Sequence, residues 1–204
     1  APTPCTKPSH CATGLECLAS RCIAQGADPT LGTERQVLAA QLLFTSGFEG
    51  DRVESAVPMG AHRGQRQALY IKFAPLGTTT GALLDAAFLL LHRTAQGAPP
   101  HQETEVSVSG VASPLNQADL RRGFTPRRHS GKALGLVGSA ATARIDVTHL
   151  VRDAFDRGLP FHGLVVESGS SEVWWVASGT QSEPGPQLEL YWRARDPGAE
   201  HDQP

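Results

Sequence analysis

Ile145-Asp146-Val147-Thr148-His149-Leu150-Val151-Arg152, running on through Phe155 to Gly158 and then Phe161-His162-Gly163-Leu164-Val165-Val166, is the stretch that decides the fold. It reads as a strand end, a capped helix of about two turns, a turn and a buried strand. Asp146 and Thr148 are helix-capping types, because their side-chain oxygens accept backbone N–H groups left free in a first helical turn. Leu150, Val151, Ala154 and Phe155 recur at helical spacing and make one apolar face. Gly158 tolerates the positive φ that ends such a helix, and Pro160 prevents its resumption. The expected helix covers about residues 149–157.

Outward from this helix the chain reads as strands. Ala68-Leu69-Tyr70-Ile71-Lys72-Phe73 alternates, with Leu69, Ile71 and Phe73 on one face and Tyr70 and Lys72 on the other. Val37–Thr45, Leu83–Arg93, Glu105–Val111, Leu134–Val137 and Ala143–Val147 add further runs. Gly163–Glu167, Val173–Ala177 and Gln187–Trp192 follow the helix. Residues Pro114 to Gly131 read as a long loop. About eight or nine strands at such short intervals, with one short helix, give an all-β, jelly-roll-like β-sandwich.

Of 204 residues, 40% are hydrophobic, enough for a real core, and the formal net charge is −2. That charge gives no global attraction to nucleic acid, and no stretch of about 18 apolar residues offers a membrane span. All four cysteines, Cys5, Cys11, Cys17 and Cys22, fall in the first 22 residues with spacing C-x5-C-x5-C-x4-C. The C-x2-C knuckles typical of zinc ribbons are absent from this spacing. An even cysteine count in a stretch too small for its own core reads as two disulfides formed in an oxidising compartment. Three pairings are open, of which we expect Cys5–Cys17 with Cys11–Cys22. The oxidising compartment makes secretion the expectation, and because the only methionine is Met59 and the chain opens on Ala1, a processed N-terminus is expected. The division expected is a cysteine-rich segment (1–25), a linker (26–34), a sandwich (35–193) and a flexible tail (194–204).

Residues from about 68 to 192 resemble the DNRLRE-type domain, a secreted jelly-roll module of the carbohydrate-binding kind. Ala68-Leu69-Tyr70-Ile71-Lys72-Phe73 is similar to its early Y-L-K-F strand, and Leu84-Asp85-Ala86-Ala87-Phe88-Leu89-Leu90-Leu91 to its S-A-T-L-R-L strand. Ile145-Asp146-Val147-Thr148 with Leu150-Val151 matches its D-V-T-x-L-V element. Pro184-Gly185-Pro186-Gln187-Leu188-Glu189-Leu190-Tyr191 matches its closing P-x-L-x-V-x-Y strand. The resemblance implies an extracellular, non-catalytic module of the kind attached to polysaccharide-active or surface proteins. Residues 34–66 depart from it, being apolar and then Arg/His-bearing where the family has a Ser/Asn/Gly-rich strand pair. The cysteine segment lies outside it and resembles disulfide-rich stretches that open some bacterial surface proteins.

Sugars stack on exposed aromatic rings, which directs attention to the tryptophans and tyrosines. Trp174 and Trp175 are adjacent in a strand and point to opposite faces. Trp192 shares parity with Leu188 and Leu190 and belongs to the core, whereas Tyr191 shares parity with Glu189. Trp175 or Tyr191 is therefore the expected sugar platform. The strongest charge feature is Leu120-Arg121-Arg122-Gly123-Phe124-Thr125-Pro126-Arg127-Arg128-His129. Its guanidinium forks suit carboxylate, sulfate or phosphate; the competing reading is a solvated loop or a subunit contact.

Eight histidines are scattered without the H-E-x2-H spacing of a helical metal site. Asp146 is a weak structural-calcium candidate whose capping role already accounts for it. No nucleophile elbow or phosphate loop is present, and Glu167, Glu172 and Glu189 would need to meet across a cleft to act as a glycosidase pair. The expectation is a secreted, non-enzymatic protein with no cofactor that binds polysaccharide or another anionic surface polymer in a cell envelope or matrix. The alternative is a structural subunit that self-assembles into a surface fibre or layer, with Val37–Phe44 free to add to a neighbour's sheet edge.

Overall fold

A computed structural model of the chain describes residues 3, 5, 8–19, 21–46, 56–62, 65–76, 82–94, 102–179 and 184–194. The described N-terminal part holds a short hairpin, β1 (Leu15–Leu18) with β2 (Arg21–Ala24). The sandwich strands are β3 (Glu34–Thr45), β4 (Ala56–His62), β5 (Gln65–Phe73), β6 (Ala82–His92), β7 (Thr104–Val111), β8 (Arg128–Val137), β9 (Thr142–Asp146), β10 (Leu164–Ser168), β11 (Val173–Ala177) and β12 (Gln187–Ala194). Two helices interrupt them, α1 (Gln117–Arg121) and α2 (Thr148–Asp156). The chain is thus all-β with short helices, as the alternation requires. The tail beyond Ala194 lies outside the described residues.

Every pairing is antiparallel, in the order β8-β7-β10-β5-β3-β12-β6-β9, with β4 joining β5 to β11. β3 makes the turn between layers. Its first half, through Ala39, pairs with β12; its second half pairs with β5, and the register shifts between Ala40 and Leu42. A bulge bends a strand at such a shift, so the ladder folds into two faces. The first sheet is β9-β6-β12-β3, and the second is β3-β5-β10-β7-β8 with β4 and β11. The two ends of the ladder meet where Gly135 of β8 lies against Ile145 of β9; any side chain there would stand 2.6 Å from Ile145.

Alternation places the core between the sheets. Leu69, Ile71 and Phe73 face Leu89, Leu91, Leu188 and Leu190, and Trp174 and Trp192 fill the ends. Fully burying each such side chain stabilises by roughly 1.5–3 kcal/mol. Leu150, Val151 and Ala154 of α2 join this core, while Phe155 meets Trp192 with ring centroids 5.2 Å apart.

The expected double cap divides between two roles. Asp146 Oδ1 accepts the Thr148 N–H at 2.9 Å, but the N-cap of α2 is Val147, which makes no side-chain cap bond, so the expected cap is instead a turn leading into the helix. Thr148 is itself the first helical residue, and its hydroxyl turns to the sheet and accepts the Ala87 N–H at 2.9 Å. It thereby extends the β6–β9 ladder by one bond as the strand becomes helix. Arg152 of α2 donates to the carbonyls of Leu84 (3.0 Å) and Asp85 (3.0 Å), on the part of β6 that precedes its pairing with β9.

The expected loop from Pro114 to Gly131 is corrected in two places. It contains α1, started by Asn116, whose Oδ1 accepts the Ala118 N–H at 2.9 Å. It also contains the start of β8, which pairs as far back as Arg128 with Val111 across a register shift.

The cysteine segment carries the expected pairing, Cys5–Cys17 and Cys11–Cys22. Cys17 and Cys22 stand opposite each other in the hairpin. The hairpin turn packs on the outer face of the first sheet, where Ala19 meets Ala86 and Phe88 with Leu18, Leu90 and Tyr191 around them.

Candidate functional site

The outer face of the second sheet is half covered and half open, and α1 decides which half. Leu115 and Leu120, from the segment around α1, pack on Tyr70, Val111 and Val165, with Leu42, Phe44 and Ala68 beside them. This anchoring holds the arginine-rich loop on the sheet. Tyr70 does point away from the main core, as alternation predicts, but the α1 segment buries it to 4% exposure.

Beyond Tyr70 the face opens into a cleft of about 510 Å³. On its floor, Glu167 of β10 lies in register between two small residues, Ala68 of β5 and Ser107 of β7. Arg66, Glu105, Thr125 and Arg128 rise around that floor. Arg128 donates two parallel hydrogen bonds to Glu167, at 2.5 and 3.0 Å. The Glu167 bond first, opposed by burial and aided by Tyr70, holds the Arg128 guanidinium even more firmly protonated than usual. Arg121 at the end of α1, and Arg122 and Arg127 on the loop after it, are all exposed, and Phe124 between them is 61% exposed.

Burial first, and then the positive neighbours Lys72 and His129, hold His162 below the ordinary histidine range.

The six residues expected to bind ligand fall in three places. Arg128 is in the cleft, and Arg121, Arg122 and Arg127 belong to the loop beside it. Trp175 is half-buried in β11 opposite Pro58, and its carbonyl accepts the Thr94 N–H at 3.1 Å. It is the outward member of its pair, since Trp174 is 3% exposed and donates Nε1–H to the Gly138 carbonyl at 2.9 Å.

Tyr191 is half-buried on the outer face of the first sheet, edge-on to Phe88 at 6.0 Å. Its hydroxyl donates to Glu189 at 3.2 Å. Glu189, 4% exposed, also accepts from Arg35 and, at 3.4 Å, from Arg144, whose guanidinium lies 3.5 Å over the Phe88 ring. Tyr191 therefore sits in a knot of charges on a different sheet from the cleft.

Glu167 and Glu189 likewise lie in different sheets, each engaged by arginine, whereas Glu172 precedes β11. Both oxygens of Asp146 are taken by donors, Oδ2 by the Ala19 N–H at 2.7 Å and Oδ1 by Thr148.

Arg66, Glu105 and Phe124 complete the cleft and its rim, and sequence reasoning did not select them. Arg66 precedes the alternating run that marked β5. Phe124 was visible only as one aromatic among arginines. No protein-family model and no curated protein matches the chain.

Proposed function

We propose that this protein is a secreted, non-enzymatic β-sandwich that binds an acidic polysaccharide through the outer-face cleft of its second sheet. One observation carries the reading: Arg128 and Arg66 line an open cleft whose neighbouring loop exposes three more arginines around a bare phenyl ring. A guanidinium fork binds carboxylate or sulfate through two parallel hydrogen bonds. Arg128 already holds Glu167 in that way, so an incoming carboxylate competes with Glu167 for a fork already set in this geometry. The ring of Phe124 suits the apolar face of a pyranose. The four sequence elements of the DNRLRE-type domain support the same class of function. The two disulfides are compatible with an oxidising, extracellular setting.

The alternative, a self-assembling subunit, has its segment Val37–Phe44 within β3, whose first half pairs with β12 and whose second half pairs with β5. The exposed Leu134 and Leu136 of β8 offer that reading further support.

A polysaccharide array separates the readings. Binding to polyuronates or sulfated glycans, weakening as salt rises, is expected. Retention on neutral glycans alone, or loss on Trp175→Ala with none on Arg128→Ala, would move the site to β11.

A further inference from the structure

The outer face of the first sheet has a cover, and the cover is the chain's own N-terminal hairpin. β1 and β2 are four residues each, too short for a two-stranded hairpin to persist alone in water. The interior of the segment is largely cysteine, with Cys5 and Cys22 buried and both strands tied to the preceding chain by disulfides. At its turn Ala19 is 0% exposed and holds φ 54°, a conformation an L-residue keeps only when its surroundings demand it. The surroundings are the sheet: the Ala19 methyl rests on Ala86 and Phe88, and its N–H is bound by Asp146. Arg21 adds an ion pair to Asp85 at 3.8 Å.

We infer that this contact is a thiol-controlled cover: intact disulfides keep the hairpin on the sheet, and their reduction releases it and bares Ala86, Phe88, Leu90 and Tyr191. Each disulfide takes two electrons and two protons from a dithiol reductant, which becomes a disulfide, and four free thiols result. Without those links the hairpin has no interior to hold its turn in the conformation that fits the sheet. The sandwich does not depend on it, because Leu89, Leu91, Leu188 and Leu190 bury themselves on the opposite face of the same strands. Reduction thus exposes an aromatic face on a folded protein.

Hydroxyl-radical footprinting of the full chain with Cys5, Cys11, Cys17 and Cys22 all replaced by Ser tests this. Phe88 and Tyr191 should label several-fold faster than in the parent, while Trp174 stays protected. Unchanged labelling of Phe88 would overturn the inference, and so would a parallel rise at Trp174, which would make the cover integral to the fold. Independently, trypsin should cut after Arg21 at least tenfold faster once a phosphine has reduced the parent protein; equal resistance would likewise overturn it.

Discussion

Asp146 holds Ala19, 127 residues earlier in the chain, through a 2.7 Å bond to its backbone N–H. The other carboxylate oxygen takes the Thr148 N–H at 2.9 Å, so one side chain both leads the chain into α2 and docks the disulfide segment. Asp146→Ala removes both. The expected loss is about 2 kcal/mol, from two bonds to backbone N–H groups, read as a lower urea midpoint. Asn keeps one acceptor and should recover the Thr148 bond while leaving Ala19 poorly held. A loss for Ala within the error of the parent would show that neither bond matters.

Arg152 closes a sheet edge. Its guanidinium covers the carbonyls of Leu84 and Asp85 where β6 has not yet met β9. Arg152→Ala strands these acceptors beneath α2, with an expected cost of about 1–3 kcal/mol. Arg152→Lys should restore little of it, because an ammonium lacks the planar fork. Thermal unfolding of the two variants decides, and equal stability of Lys and Arg would refute the fork argument.

Acid should weaken the fold in two stages. Burial holds His92 and His162 below the ordinary value of 6.5, so the unfolded chain binds protons there that the folded chain refuses. Stability is then highest above pH 6.5 and declines below it. Burial by itself would raise Glu189, but the Arg35 hydrogen bond and charge, with Tyr191 and Arg144, outweigh it and leave Glu189 below the ordinary value of 4.5. Its contribution is complete above pH 4.5 and vanishes as pH falls through the lower folded value. Urea midpoints across pH should show both declines, and Glu189→Gln should remove the more acidic one. A parent whose midpoint does not change between pH 7 and pH 3 would contradict the assignment.

Glu167 competes with ligand for Arg128. The pair is partly exposed, with side chains 27% and 37% accessible, so Glu167→Gln should change stability by less than about 1 kcal/mol. It frees the guanidinium and removes a like charge, and affinity for an acidic polymer should rise about two- to fivefold, a gain under about 1 kcal/mol. Calorimetric titration reads this; a fall in affinity would place Glu167 among the ligand's own contacts.

The sandwich was legible because most of its strands alternate cleanly, as Leu69, Ile71 and Phe73 do, and because α2 has one apolar face. β4 was not, since Pro58 and Gly60 within it argue against a strand. Gly60 is there for another reason: at φ +100° it passes 2.3 Å, at its missing Cβ, from the Glu172 carbonyl, a contact that only the folded chain reveals. α1 was hidden by its brevity, five residues whose one buried side chain is Leu120. The arginine loop was recognised as a charge cluster, but its place over the second sheet depends on Leu115 and Leu120 meeting Tyr70 and Val165, contacts distant in sequence. The pairing of Tyr191 with Glu189 followed from parity, whereas Arg35 arrives from the neighbouring β3 and Arg144 from β9, across β6, an order that sequence could not assign.

The most direct test is calorimetric titration of a polyuronate into the parent protein and into the Arg66→Ala/Arg128→Ala double variant, at low and at high salt. The cleft reading predicts measurable binding by the parent that weakens with salt, at least tenfold weaker binding by the variant, and an unchanged far-ultraviolet spectrum. Equal affinity in the two proteins, or no binding of any acidic polysaccharide by the parent, would contradict it.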